Sequence, residues 1–298
     1  MGGEIFETRK HPICGFRHLH PVPSDSEISR FYESQYFDIL RQGGRAPELR
    51  RIMEGGETAK SEIHWLESVL YADIVAALQQ LGAGRQLLDV GCGTGDFLAY
   101  AGQHGFEPLG LEIATAATER ARERGLTVRE MTLEEHLAQT AGVRNSVDAV
   151  VMLNVLEHVP DPVKMLQLAG EVLRPGGFLC IRVPNDFSEI QEAARAKLNS
   201  SPWWIAVPDH INYFTFESLR ITFDHCGFDK VYQQSDFPME LFLLMGENYV
   251  GDAAKGGACH KRRVELELGL PPHLRRQMYQ AFAETGVGRN ILMFGRRR

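Results

Sequence analysis

The stretch Leu87-Leu88-Asp89-Val90-Gly91-Cys92-Gly93-Thr94-Gly95-Asp96-Phe97-Leu98 limits what this chain can fold into more than any other. An apolar run that ends in an acid reads as a buried strand. Glycines at positions 91, 93 and 95 then let the backbone turn sharply and come close to a ligand. A helix begins at once, near Asp96. Strand, glycine turn and helix in that order build a nucleotide-type site at the edge of a doubly wound sheet.

The glycine spacing selects among nucleotides. A dinucleotide fingerprint, Gly-x-Gly-x-x-Gly, needs a glycine at position 96, which is Asp96 here. The pattern is instead Asp-x-Gly-x-Gly-x-Gly, on Asp89, Gly91, Gly93 and Gly95. It resembles motif I of the class I S-adenosylmethionine (SAM)-dependent methyltransferases. The charges agree. A pyrophosphate beside Asp89 and Asp96 would be repelled, with only a helix N-terminus to offset it. The ammonium and sulfonium of SAM are attracted by carboxylates. The resemblance implies a Rossmann-like α/β fold, mostly parallel with an antiparallel last strand. It also implies SAM as cofactor, held by Asp89, Gly91, Cys92, Gly93, Gly95 and Phe97.

Composition adds bounds. The 298 residues are 44% hydrophobic and 24% charged, an ordinary globular balance with room for more than one lobe. Net charge is −7, and no Lys/Arg-rich run suggests nucleic acid; Arg296-Arg297-Arg298 reads as a solvated end. The cysteines at 14, 92, 180, 226 and 259 form no Cys-x-x-Cys pair and are odd in number, as in a reducing compartment. No run of about 18 apolar residues suggests a membrane span. The start, Met-Gly-Gly-Glu-Ile-Phe, lacks a signal-peptide or myristoylation pattern. A cytoplasmic location is expected, with no membrane partner; the oligomeric state is not legible.

Residues 1–23 show little periodicity. His11-Pro-Ile-Cys14-Gly15 resembles a zinc-ribbon knuckle that has lost its first cysteine, and with His18 and His20 it fits no standard four-ligand site, so no metal is expected. Ser24-Asp-Ser-Glu27 is a capping box, followed by a helical stripe of Ile28, Phe31, Tyr32, Tyr36 and Ile39. Such N-terminal helices often cover the active site in similar methyltransferases, which makes Tyr32 and Tyr36 substrate candidates. Glycines and a proline in 41–60 read as a loop, and a long helix is expected from Ser61 to Gly82. Strand and helix then alternate, with strands at 86–91, 106–113, 127–131, 147–154, 178–183, 229–236 and 290–295. The fifth follows a turn at Arg174-Pro175-Gly176-Gly177. About 50 residues separate the last two strands, too many for a structureless loop. Leu274, Met278, Ala281 and Phe282 mark an amphipathic helix there. The expected organisation is an N-terminal segment and helical cap (1–60), a SAM-binding domain (61–237), a helical insert (238–289) and a last strand (290–298).

Further site residues follow the strand ends. Glu112 stands 21 residues after Gly91, where a carboxylate accepts both ribose hydroxyls. Ile113 would line the adenine, and the resemblance places Leu133 at the adenine edge. The fourth strand ends in Asn154-Val-Leu-Glu157-His158-Val-Pro-Asp-Pro, similar to the Leu-Glu-His-Val segment of many small-molecule methyltransferases. Asn154 would face the methionine part of SAM, with Glu157 and His158 beside the transfer path. In the ubiquinone-biosynthesis O-methyltransferases the equivalent segment has Glu in place of Asn154 and binds a divalent metal; that carboxylate is missing here.

Pro202-Trp203-Trp204-Ile-Ala-Val-Pro-Asp209-His210-Ile-Asn-Tyr213-Phe214-Thr215 resembles a Pro-x-His-x-x-x-Phe-Thr segment of the bacterial methyltransferase domain 23 type. Imidazole is the natural base near neutral pH, so His210 is the first choice to take the proton of a hydroxyl acceptor. Trp203, Trp204 and Tyr213 are acceptor-pocket candidates, with core packing the competing role. In the insert, Pro238-Met-Glu240-Leu-Phe and His260-Lys-Arg262-Arg263 combine polar and apolar types that could bind an anionic acceptor; a solvated charged face is the plainer reading. The reading is a SAM-dependent methyltransferase acting on a small-molecule acceptor, a sugar or secondary metabolite. An NAD-dependent oxidoreductase, a non-catalytic SAM-binding module and a methyltransferase of macromolecules are the alternatives.

Overall fold

The computed structural model describes residues 7–24, 26–27, 50–52 and 55–298. Tyr32 and Tyr36, with most of the expected cap helix, lie outside them. The capping box that opens it is present: the Ser24 amide donates to Glu27 Oε2 at 2.7 Å. The segment before it forms a hairpin of β1 (Glu7–Lys10) and β2 (Arg17–His20). Its turn is closed locally. The Cys14 amide donates to His11 Nδ1 at 3.1 Å, and the His11 ring stacks on Phe16.

Helix α1 (Gly56–Leu66) passes through a π-helical turn at Glu67–Tyr71 into α2 (Ala72–Gln80). It starts five residues before the expected Ser61. Gly55 and Gly56, both at positive φ, make the reversal into the helix themselves, so the glycine pair is its start and not a loop. Then β3 (Gln86–Val90), α3 (Asp96–Gln103), β4 (Glu107–Glu112), α4 (Thr115–Glu123), β5 (Val128–Glu130), α5 (Leu133–Gln139) and β6 (Val147–Leu153) alternate. Helix α6 (Pro162–Val172) has Asp161 as N-cap and Pro162 in its first turn, as read from sequence.

Strand β7 (Leu173–Pro184) is longer than the expected 178–183. Val147 pairs with Leu173 and Ala149 with Phe178, so Arg174–Gly177 bulges out of a continuous strand and is not a turn before it. Next come α7 (Glu189–Leu198), β8 (Asn212–Tyr213), which pairs with β2, α8 (Phe216–His225) and β9 (Phe228–Ser235). The insert holds α9 (Glu240–Leu244), α10 (Ala253–Gly269) and α11 (Pro272–Glu284), and β10 (Asn290–Arg297) ends the fold.

The main sheet has the order β5-β4-β3-β6-β7-β10-β9, with β10 antiparallel to both neighbours and the other pairs parallel. Alternate residues feed two cores. Leu88, Val150 and Ile181 face one side, while Leu87, Val151 and Cys180 face the other, so strands buried on both faces appear as near-continuous apolar runs. The chain leaves β3 toward β4 on one side and returns as β6 on the other. That reversal opens a crevice at the carboxyl ends of β3, β4 and β6, where ligands bind in open α/β sheets.

The helical insert corrects two expectations. On α11 Arg275, Tyr279 and Ala283 are buried, and of the expected stripe Met278 and Phe282 pack partly buried beside Tyr279 while Leu274 and Ala281 are exposed. On α10, His260 and Arg263 point inward, to Glu62 and to Asp236 and Glu267, so only part of that basic run is solvated.

Candidate active site

The glycine loop is held against β4 by its own backbone. The amides of Gly91 and Cys92 both donate to the Leu111 carbonyl, at 2.8 and 3.1 Å. Glu112, at the end of β4, reaches back across the turn. Its Oε2 accepts from the Gly93 amide and its Oε1 from the amides of Ile113 and Ala114, each at 2.8 Å. Gly91 has φ +72°, and a Cβ there would stand 2.6 Å from Val155 Cγ2; only glycine fits. Gly93, at φ +54°, has nothing within 4 Å of such a Cβ. The loop therefore has a closed side on β6 and an open cradle beside the Glu112 carboxylate, which suits a ribose.

Asp89, next to the last residue of β3, is 2% exposed. Burial, and then the nearby Glu112 charge, hold its carboxyl well above the usual aspartate range. A cationic ligand group would relieve both effects. Burial, with the nearby Asp89 and Glu112 carboxylates adding to it, pushes the Cys92 thiol up. Ile113 is 70% exposed, an apolar side chain left open beside the cradle. Gly95 starts α3 in a left-handed conformation. Phe97 is buried, with its ring edge on Tyr71, and Leu133 is buried at the start of α5. Both are core residues of the two hydrophobic clusters that flank the sheet.

The second half of the crevice follows β6. Asn154 has φ +58°, which turns the chain directly after the strand. Its Nδ2 donates to Glu157 Oε1 at 2.9 Å, and its Oδ1 accepts from Arg182 Nη1. Glu157 is 1% exposed. Its carbonyl accepts from the amides of Ile211 and Asn212, which ties this turn to the segment before α8. His158 Nδ1 donates to the Asp209 carbonyl at 2.7 Å, and the rings of His158 and His210 meet edge-on at 4.9 Å. One ring nitrogen of each histidine and one carboxylate oxygen of Asp209 lie within 4.8 Å of one another, a donor set able to hold a metal ion.

The structure thus brings Asp89, Gly91, Cys92, Gly93, Gly95, Glu112 and Ile113 into one cluster. Asn154, Glu157, His158 and His210 form a second on the neighbouring strand end. Trp204 and Tyr213 are buried together with Leu19, and the Tyr213 hydroxyl accepts from the Ala206 amide at 3.2 Å. Trp203 is half-buried, with its ring edge-on to Trp204. Two residues escaped the sequence reading. Arg182 was visible as a lone charge in an apolar strand. Asp209 had no such signal, because its relation to His158 spans 51 residues.

Comparison with known proteins is consistent with this geometry. A sequence family described as methyltransferase domain matches residues 63–233. The ubiquinone biosynthesis O-methyltransferase of Aeromonas salmonicida is 38% identical over 113 residues, 34% of this chain and 44% of that protein. The enzyme of the same name from Vibrio parahaemolyticus is 36% identical over 100 residues, 32% of this chain and 41% of that protein. The chain thus spans less than half the length of these curated relatives. Among solved structures, a protein assigned as a sarcosine dimethylglycine methyltransferase from Galdieria sulphuraria superposes with a TM-score of 0.53 at 17% identity, over 89% of this chain and 98% of that one. The cyclase SpnF gives the same TM-score and identity over 93% and 98%. At such identities the likeness is one of fold. No helix among the described residues is long and apolar enough to cross a membrane.

Proposed function

The chain belongs to the methyltransferase domain family, and from that premise we propose that it methylates a hydroxyl of a small molecule, a sugar or a secondary-metabolite scaffold, using SAM. The observation that carries this reading is the pairing of two clusters on adjacent strand ends: the glycine loop with Glu112, and Asn154-Glu157-His158 with His210.

Glu112 would accept the ribose hydroxyls, exchanging them for the backbone amides that it now holds. Ile113 would cover the adenine face, and Asp89 and Asn154 would meet the polar amino-acid end. When bound, SAM supplies an electrophilic methyl group on a sulfonium. The chain's tasks are to align the acceptor oxygen, exclude water and receive a proton as the new C–O bond forms. Glu157, His158 and His210 are the candidates for the last task, with His210, whose ring meets His158 edge-on, first among them. A hydroxyl acceptor is supported by the O-methyltransferase names of the relatives. The net charge of −7 opposes a polyanionic partner.

The test is incubation with SAM carrying a labelled methyl group, against hydroxylated small molecules, bulk protein and bulk nucleic acid. Label in the small-molecule fraction, as an alkali-stable ether, is expected. Label only in a macromolecular fraction would contradict the reading.

A further inference from the structure

We propose that His158, Asp209 and His210 bind a divalent transition-metal cation at the acceptor end of the crevice. The donor chemistry is two imidazoles and one carboxylate, a set that favours Zn2+, Mn2+, Fe2+ or Co2+ over Mg2+ or Ca2+ and leaves coordination positions open. Their donor atoms lie within 4.8 Å of one another. Donors at about 2.1 Å from a shared cation stand roughly 3–4 Å apart, so side-chain rotation of an ångström or so closes the set.

Two features point to a ligand there. His158 Nδ1 donates to a backbone carbonyl, which fixes the ring and makes Nε2 the lone-pair nitrogen of the neutral imidazole. Metal-binding histidines are typically oriented by this kind of outer bond. Independently, Glu157 is 1% exposed and its Oε2 has no hydrogen-bond partner among the described residues, while its Oε1 stands 3.9 Å from His158 Nε2. A buried carboxylate oxygen left without a partner costs stability unless a ligand satisfies it. Asp209, 3% exposed, is a second buried carboxylate in the same place. The donors differ from those of a single Glu-x-x-Glu-His segment: position 154 is Asn, and two of the three come from a loop 51 residues away.

The cation's role rests on the methyltransferase reading; its binding does not. Coordinated to the acceptor hydroxyl, it would polarise the O–H bond. The proton would pass to Glu157 Oε2, the electron pair would stay on the acceptor oxygen, and His210 would serve as ligand instead of base.

The experiment uses the full chain without an affinity tag, stripped of metal and titrated with Co2+ alone. Expected are one tight Co2+ per chain with ligand-field absorption bands, and at least tenfold weaker binding in both H210A and D209N. Absence of saturable binding, or wild-type affinity in both variants, would overturn the proposal. S-adenosylhomocysteine affinity reports whether the variants are folded. A second measurement needs no variant: Co2+ should slow diethylpyrocarbonate modification of His158 and His210 in the wild type at least fivefold, and an unchanged rate contradicts the site. If S-adenosylhomocysteine fails to bind at all, the methyltransferase reading falls while the cobalt stoichiometry still stands or fails by itself.

Discussion

Gly91 and Gly93 look alike in the sequence, yet they have different tasks. Gly91→Ala forces a Cβ to 2.6 Å from Val155 Cγ2 at positive φ, and should cost about 1–3 kcal/mol. It should lower the urea midpoint along with cofactor affinity. Gly93→Ala meets no atom within 4 Å, so its cost is about 1–2 kcal/mol of left-handed strain. Its new methyl projects into the cradle, and S-adenosylhomocysteine affinity should fall more than the stability does. Equal losses in both variants would contradict the assignment of an open and a closed side. Asp89 gives a pH test. The folded protein holds its proton more tightly than the unfolded chain does, so its contribution to stability is complete below the ordinary aspartate range and is lost as pH rises through the raised value. A ligand ammonium beside it lowers that value again, so binding below the raised value should release a proton. Calorimetry in buffers of different ionisation enthalpy checks this, and the release should vanish in Asp89→Asn. Glu112 and Asn154 were legible because each is the residue at which an apolar strand pattern stops. Asp209 was not, since no local pattern encodes a partner folded in from 51 residues away.

The elements of the central sheet were legible because parallel strands buried on both faces leave apolar runs separated by helix caps. The insert was legible as helical but not in its orientation. On α11 Leu274, Met278, Ala281 and Phe282 suggested the buried stripe, yet Leu274 and Ala281 are exposed, Met278 and Phe282 are only partly buried, and Arg275 and Tyr279 lie deepest. Arg275 Nη2 donates to Asp73 Oδ1 at 3.0 Å, and the Tyr279 hydroxyl donates to Glu267 Oε1 at 2.7 Å. Burial of polar groups supplied with partners follows no hydropathy period, so amphipathicity misplaced the face by about one position. Arg275→Ala removes one of three partners of the buried Asp73, which keeps Arg276 and Gln234, and should cost about 1–3 kcal/mol in chemical denaturation. Adding Asp73→Asn should cost less than the sum of the two single losses, because both residues belong to one network with Arg276. Additive losses would mean that the bridge does not tie α11 to α2.

For the whole molecule, topology follows from one decision taken at the glycine loop. A strand–turn–helix that binds a ligand at its carboxyl end commits the chain to a sheet that reverses direction beside it. The insert is fastened to the helices before β3 through buried polar contacts, among them Trp65 Nε1 to Glu267 Oε2 at 2.7 Å and His260 Nε2 to Glu62 Oε2 at 3.1 Å. These contacts fix the lobe against α1, and they were the part least visible in the sequence. The central claim is that the crevice at β3, β4 and β6 takes SAM. The most direct measurement is calorimetric titration of ligand-free protein with S-adenosylhomocysteine, with NAD in parallel. Saturable binding of S-adenosylhomocysteine at one site per chain, weakened at least tenfold (about 1.4 kcal/mol) by Glu112→Ala, is the predicted result. Binding of NAD instead, or S-adenosylhomocysteine binding unaffected by the loss of Glu112, would contradict it.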